Sequence, residues 1–346
     1  MNPLLNQELI LNDRSSSGRV NDWSGKKMAN ELLALAYDEV NEKKAARLRD
    51  CATWLAFARS SAGGLTLTHA NFCRVRLCPI CQWRRALKTY AHTRKIVEAM
   101  AADYRRRKKG LRWVFLTLTI QNCSAPDLST VVDNMFSSWH RLIKSKAFEP
   151  VLGWYRGFEV VHDVSPFITA QMFAERSEYY RRRGLRAGDD NPNYNMYHPH
   201  FHVMMAVNTT FLRTDYRTLR ARFAAAWQKA MRLDYEPVVD VRKAFSVSAA
   251  GIAEACKYTV KDTDYIQPAD WDLTVETVEL LDKVLDRRRL IAYGGDLKEW
   301  HRRLNLDDEE NGDLIHTDDA PDVDEVAASE IVFSWSTGYR QYIASL

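Results

Sequence analysis

The segment Tyr197-His198-Pro199-His200-Phe201-His202-Val203-Met204-Met205 carries the densest chemistry in the chain. In an extended strand, residues i and i+2 point the same way. His200 and His202 therefore present two imidazoles on one face, while Phe201 and Val203 turn to the other. Two imidazoles side by side on a strand form a bidentate clamp for a metal ion, although strand histidines can equally stand half exposed with no ligand. A third donor must come from a neighbouring strand. Glu159, flanked by Phe158 and Val160 facing away from it, alternates correctly for that place. Two histidines and one carboxylate with open positions suit a hard divalent ion that polarises phosphoryl oxygens. His198, separated from the strand by Pro199, reads as a flanking surface residue.

A second group of reactive residues lies downstream. The run Ala253-Glu254-Ala255-Cys256-Lys257-Tyr258-Thr259-Val260-Lys261 reads as part of a helix over about 247–261, with Glu254, Tyr258 and Lys261 on one face at i, i+4 and i+7. A phenol near a divalent ion can attack phosphorus, a carboxylate one turn away can activate water, and a lysine can steady phosphate charge. The same spacing also describes an ordinary amphipathic helix with a packed tyrosine.

Upstream, Cys73-x4-Cys78-x2-Cys81 with Cys51 supplies four thiolates, enough for a tetrahedral structural Zn2+, and His69 is the rival fourth ligand. Cys78-Pro79-Ile80-Cys81 could instead be a redox dithiol, but no β-α-β pattern surrounds it. Cys123 and Cys256 have no such spacing and read as small buried residues. Arg74, Arg76, Arg84, Arg85 and Lys88 border the cysteines. They form a basic knuckle able to grip phosphates, or else a solvated face, and the same two readings hold for Arg105–Lys109 and Arg181–Arg183.

The elements that must hold these residues alternate between helix and strand. Residues 1–28 read as a flexible arm. Leu32, Leu33, Leu35, Ala36 and Val40 recur at helical spacing, and a basic helix follows over about 82–108. Strands are expected at 113–120, 157–161, about 200–207 and 237–241, with helices at 127–146, 214–232 and 274–290 between and after them. A polar insertion of 35 residues, 163–197, separates the second strand from the third. This gives an α+β sheet domain at 110–262, preceded by a helical, zinc-binding region at 29–109 and followed by an acidic helical extension at 263–346.

Charge divides along the same line. Residues 1–262 hold 41 basic against 25 acidic residues, and residues 263–346 hold 8 against 20, so a net of +4 hides a body of +16 and an end of −12. A basic body points to nucleic acid. With 46% hydrophobic and 27% charged residues among 346, wholly disordered and collagen-like classes are excluded. No apolar run reaches membrane-spanning length and no signal-peptide core is present, so a cytoplasmic protein is expected.

Taken in order, Phe115-Leu116-Thr117-Leu118-Thr119, Glu159, His-Pro-His-Phe-His and Glu254-x3-Tyr258-x2-Lys261 resemble the rolling-circle plasmid replication initiators, in the single-tyrosine branch of the HUH (His, hydrophobic, His) endonuclease superfamily. The likeness takes in Cys73 to Ala86, Lys257 to Tyr265 and Arg288 to Gly295, and spans roughly 45–345. It implies a ferredoxin-like or RRM-like antiparallel central sheet flanked by helices. It implies that His200 and His202, with Glu159 by position, hold Mn2+ or Mg2+, and that Tyr258 cleaves single-stranded origin DNA through a 5′-phosphotyrosine, leaving a 3′-OH primer. Glu254 falls where a glutamate activates water to end the cycle, and Lys261 matches the Tyr-x-x-Lys lysine. Tyr265 is the reserve nucleophile. The implied partners are bacterial plasmid origin DNA, with a hairpin at the nick site, and a host helicase; oligomeric state, including a transient dimer, is left open. A non-catalytic zinc-stabilised origin-binding protein, an HUH relaxase or transposase acting elsewhere, and an RNA-binding module are the rival readings.

Overall fold

The central strands follow directly from their alternation. Val114, Leu116 and Leu118, then Phe158 and Val160, then Phe201, Val203, Met205 and Val207 are all buried in one large core. The intervening residues turn to the opposite face, as a period of two requires. The structure, a computed structural model, describes residues 10–15, 18–59, 64–244, 251–253, 256, 260–317 and 329–345.

Helices α1 (Trp23–Val40) and α2 (Glu42–Asp50) lead into a hairpin of β1 (Trp54–Arg59) and β2 (Leu65–Ala70). The long α3 (Pro79–Arg106) begins with proline in its first turn, where no backbone donor is lost. Next come β3 (Leu111–Thr119), α4 (Ala125–Leu142), β4 (Val151–Asp163), the short α5 (Ala170–Glu175) and α6 (Ser177–Arg182), and β5 (Met196–Asn208). The chain continues through α7 (Tyr216–Met231), β6 (Val239–Ala244), α8 (Trp271–Leu285), β7 (Ile291–Gly294), α9 (Gly295–Arg303), β8 (Ser329–Ser336) and β9 (Gln341–Ala344).

The strands form two antiparallel sheets, one of five strands in the order β6-β3-β5-β4-β7 and one of four in the order β2-β1-β8-β9. The mixed α+β class and antiparallel sheet are as expected. Strand β5 is central, laddered along its length to β3 and β4. Pro199 is part of it rather than its boundary. Helices α4 and α7 cover the Phe201 face, while α3 and α9 cover the other through Ile96, Val97, Met100 and Leu297.

Three expectations about the ends are corrected. Residues 263–346 are not a helical extension, because β7 closes an edge of the central sheet and β8 and β9 complete the sheet begun by β1. The acidic end is thus threaded back through both sheets. The described part of the N-terminal arm is packed: buried Asp13 accepts hydrogen bonds from Trp23 Nε1 at 2.7 Å and Asn21 Nδ2 at 3.0 Å. The helix expected to reach 261 shows helical backbone at 251–253, and Lys261 lies beyond it, in extended conformation ahead of a 3-10 turn at Asp262–Asp264.

Glycine sets one close approach. A Cβ on Gly295, at φ +55°, would stand 2.3 Å from the Leu152 carbonyl oxygen, and one on Gly153 would stand 2.7 Å from the Asp296 and Leu297 nitrogens. Only residues without side chains let α9 press its N-terminus onto β4 this tightly. Among the described residues, no helix is long and apolar enough to cross a membrane.

Candidate metal centre

Glu159 and His200 stand directly opposite one another in the β4–β5 ladder, and Gly157 stands opposite His202. Glu159 Oε2 lies 3.1 Å from His200 Nε2 and 2.8 Å from His202 Nε2, and the two imidazole nitrogens are 3.1 Å apart. Ligands about 2.1 Å from an octahedral ion stand about 3.0 Å from each other, so the three donors already mark one face of such an octahedron. Glu159 and His200 are buried and His202 is partly open, which leaves the opposite side for other ligands. Burial opposes ionisation of Glu159, yet hydrogen bonds and charge from both imidazoles hold its carboxyl well below the usual carboxylate range. His200 Nδ1 faces the His198 carbonyl oxygen at 3.1 Å, which fixes the ring and aims Nε2 at the site. His198 is half-buried, and burial with the neighbouring His200 and Arg176 pulls it down to about 4.

The same face carries Thr117, opposite His202, and Thr119, opposite His200; Asp240 of β6 lies opposite Thr117. Tyr258 and Glu254 lie outside the described residues. Ile252 and Cys256, which flank Glu254 and precede Tyr258, are buried in the core on the metal-donor face of the sheet, with Tyr155 and Met204. After Val260 the chain is tied to β4, where the Asp264 carbonyl oxygen lies 3.1 Å from His162 Nδ1. Lys261 is exposed beside Asp264. Burial pushes Asp264 up to about 7, with Lys261 opposing and Glu159 reinforcing the shift, and its Oδ2 has no hydrogen-bond partner among the described residues. No spacing in the sequence marks Asp264 or Asp240. Tyr265 is excluded as a reserve nucleophile: it is fully buried and donates to the Leu77 carbonyl oxygen at 2.6 Å.

The four cysteines converge. Sγ separations are 3.6 Å for Cys51–Cys78, 3.8 Å for Cys51–Cys81 and 3.8 Å for Cys73–Cys81. Those are far from a disulfide and match the edge of about 3.8 Å for a tetrahedron with metal–sulfur bonds of about 2.3 Å. Backbone N–H groups of Cys73, Arg74 and Val75 point at the sulfurs from 3.3–3.4 Å. His69 is corrected as a ligand: it sits in β2, exposed, with Nδ1 3.2 Å from Glu330. Cys123 and Cys256 are buried and free, as expected.

The basic knuckle is also corrected. Arg84, Arg85 and Lys88 are buried beneath the acidic turn. Arg84 Nε donates to the Leu314 carbonyl oxygen at 2.8 Å, Arg85 Nε to that of Glu310 at 3.2 Å, and Lys88 pairs with Asp307 and donates to the Asp308 carbonyl oxygen at 2.8 Å. Arg76 pairs with Glu310 at 3.2 Å, and Arg74 Nη1 donates to the Asn311 carbonyl oxygen at 2.7 Å. The positive helix and the negative end of the chain neutralise one another within the fold. Sequence shows charge but not its partner. The runs at 105–109 and 181–183, by contrast, are exposed.

Comparison with known proteins points to one family. A "Protein rep" from Bacillus amyloliquefaciens is 33% identical over 366 aligned positions covering 98% of both chains. One from Streptococcus pneumoniae serotype 2 (strain D39 / NCTC 7466) is 30% identical over 97% of this chain and 96% of its own. Another from a Bacillus species is 34% identical over 79% of this chain and 84% of its own. No solved structure matches. The family profile described as "Replication protein" matches residues 64–343, so the chain belongs to that family, the plasmid replication initiators.

Proposed function

We propose that this initiator is a metal-dependent, site-specific endonuclease of the HUH type that nicks single-stranded DNA at a plasmid origin and later rejoins or releases the strand. The observation that carries this reading is the convergence of Glu159 Oε2, His200 Nε2 and His202 Nε2 on one sheet face. Their mixed nitrogen and oxygen donors, 2.8–3.1 Å apart, fit Mn2+ or Mg2+. When bound there, such an ion neutralises a non-bridging phosphate oxygen and favours attack at phosphorus.

The chain's own residues do the rest. The Tyr258 hydroxyl gives up its proton as its oxygen attacks phosphorus, the P–O3′ bond breaks, and the departing 3′ oxygen takes up one proton in turn, leaving a 3′-OH primer. The phosphodiester energy is retained in the 5′-phosphotyrosine, so rejoining by the 3′-OH is the same step reversed. Glu254 removes a proton from water for the terminating cleavage, which forms no new protein–DNA bond and is irreversible. Lys261 offsets charge on the phosphate. The roles of Tyr258 and Glu254 rest on the motif resemblance.

The insertion 164–195 is the favoured strand-binding element. It leaves the β4–β5 ladder at Asp163 and Met196, four residues past Glu159 and His200, or about 13 Å along the strands. It presents Arg181, Arg182 and Arg183 with exposed Phe167 and Tyr194, the mixture of cations and aromatic faces that grips single-stranded DNA. The four cysteines hold a structural Zn2+ that joins the end of α2 to the β2–α3 connection and the start of α3.

The test is incubation with a labelled single-stranded origin oligonucleotide and Mn2+. A covalent protein–DNA species is expected that resists denaturation and is lost in Tyr258→Phe. An adduct that persists in Tyr258→Phe, or cleavage with no adduct at any stage, contradicts the mechanism.

A further inference from the structure

A second cluster repeats the donor chemistry of the sheet site with none of its residues. Glu309, from the acidic turn, places Oε1 3.2 Å from Nδ1 of His92 on α3 and 2.8 Å from Nε2 of His301 on α9. Glu309 and His92 are almost fully buried and His301 is 19% exposed. The donor separations nearly match the 3.1 Å and 2.8 Å that link Glu159 to His200 and His202.

Two features make this more than a buried hydrogen bond. His92 uses one ring nitrogen toward Glu309 and turns the other toward the Asp307 carboxylate, whose Oδ1 lies 3.5 Å away, so a carboxylate stands behind the ring that would ligate the ion. His301 also lines a surface cavity of about 430 Å³ with Lys298, Glu299, Arg302 and Asn305, which gives an ion a route from solvent.

We infer that His92, His301 and Glu309 form a second transition-metal site, of the class that takes Zn2+, which clasps the acidic turn 307–310 onto α3 and α9. Zn2+ is held elsewhere by two imidazoles and one carboxylate, and the near-complete burial of Glu309 and His92 leaves little room for the waters that Mg2+ retains. Glu309 follows His301 by only eight residues, but His92 lies more than 200 residues earlier on α3, so the ion acts as a cross-link between the acidic end and the helix carrying Arg85 and Lys88. It is separate from the proposed nuclease centre, whose donors all lie on β4 and β5.

The test counts zinc on the full chain after equilibrium dialysis, in a His200→Ala/His202→Ala background that empties the sheet site. Adding His301→Gln should lower the count by one ion per chain, whatever the cysteines hold. An unchanged count overturns the site. Glu309→Gln, which keeps the shape and one acceptor, provides a second reading. Zinc should slow hydrogen exchange at residues 304–317 at least several-fold in the background protein and leave it unchanged in the Glu309→Gln version. Equal slowing in both overturns the clasp even if both proteins fold normally.

Discussion

Glu159 and His200 face each other across the β4–β5 ladder, and their Oε2 and Nε2 atoms lie 3.1 Å apart. Register alone brings a carboxylate from one strand and an imidazole from the next onto the same point, and His202 joins them two residues along. Replacing either histidine with alanine, or Glu159 with alanine, should reduce the rate of DNA nicking about 100-fold or more, equivalent to about 3 kcal/mol of barrier. Strands β4 and β5 should remain folded, because the packing face behind them is untouched. Gel-resolved cleavage kinetics with circular dichroism will check this, and near-normal rates in all three variants would reject the triad.

The buried basic residues predict a separation of stability from DNA affinity. Lys88→Ala leaves Asp307 without its cation and opens space in α3, and should cost about 2–4 kcal/mol in denaturant unfolding. It should leave the salt dependence of DNA binding unaltered. Neutralising Arg181, Arg182 and Arg183 together should do the reverse, flattening the slope of log affinity against log salt by up to about 0.7 per lost single-strand phosphate contact. A changed slope in Lys88→Ala would restore the knuckle as a DNA grip.

The cysteine site should act on stability before chemistry. Removing zinc, or introducing Cys81→Ser, should expose residues 51–90 to limited proteolysis and lower the melting temperature, since the four sulfurs link α2, the β2–α3 connection and the start of α3. Unchanged protection after zinc removal would refute a structural ion there.

Asp264 yields a pH prediction with a definite sign. Its carboxyl is pushed up from 3.8 to about 7 in the fold, with burial the largest cause. Between those values the unfolded chain has lost a proton that the folded chain keeps, so the group's contribution to stability falls as pH rises through that window. Asp264→Asn should therefore raise the melting temperature at pH 8 and have little effect near pH 4. Calorimetry at the two pH values will check this, and an equal shift at both would contradict the assignment.

What could be read in advance, and what could not, follows from the range of each interaction. The placement of His200 and His202 was legible because a strand's period of two is local, and Glu159 was legible because Phe158 and Val160 mark its phase. Cys73, Cys78 and Cys81 lie within nine residues and announce one another. By contrast, β8 reaches β1 from some 270 residues away, and β7 has only four residues, too few to show a period. The partners of Arg85 and Lys88 depend on where the acidic end folds back. Charge counts carry no such address. His301 and Glu309 are eight residues apart, but His92 meets them only through the packing of α3 against α9, so no local spacing gives the cluster away.

The most direct test of the account is diffraction at the manganese absorption edge from crystals of a cleavage-competent preparation grown with Mn2+. An anomalous peak is predicted within about 2.3 Å of Glu159 Oε2, His200 Nε2 and His202 Nε2 together. Protein from the same preparation that cuts origin DNA with Mn2+, while its crystals show no peak at that position, would contradict it.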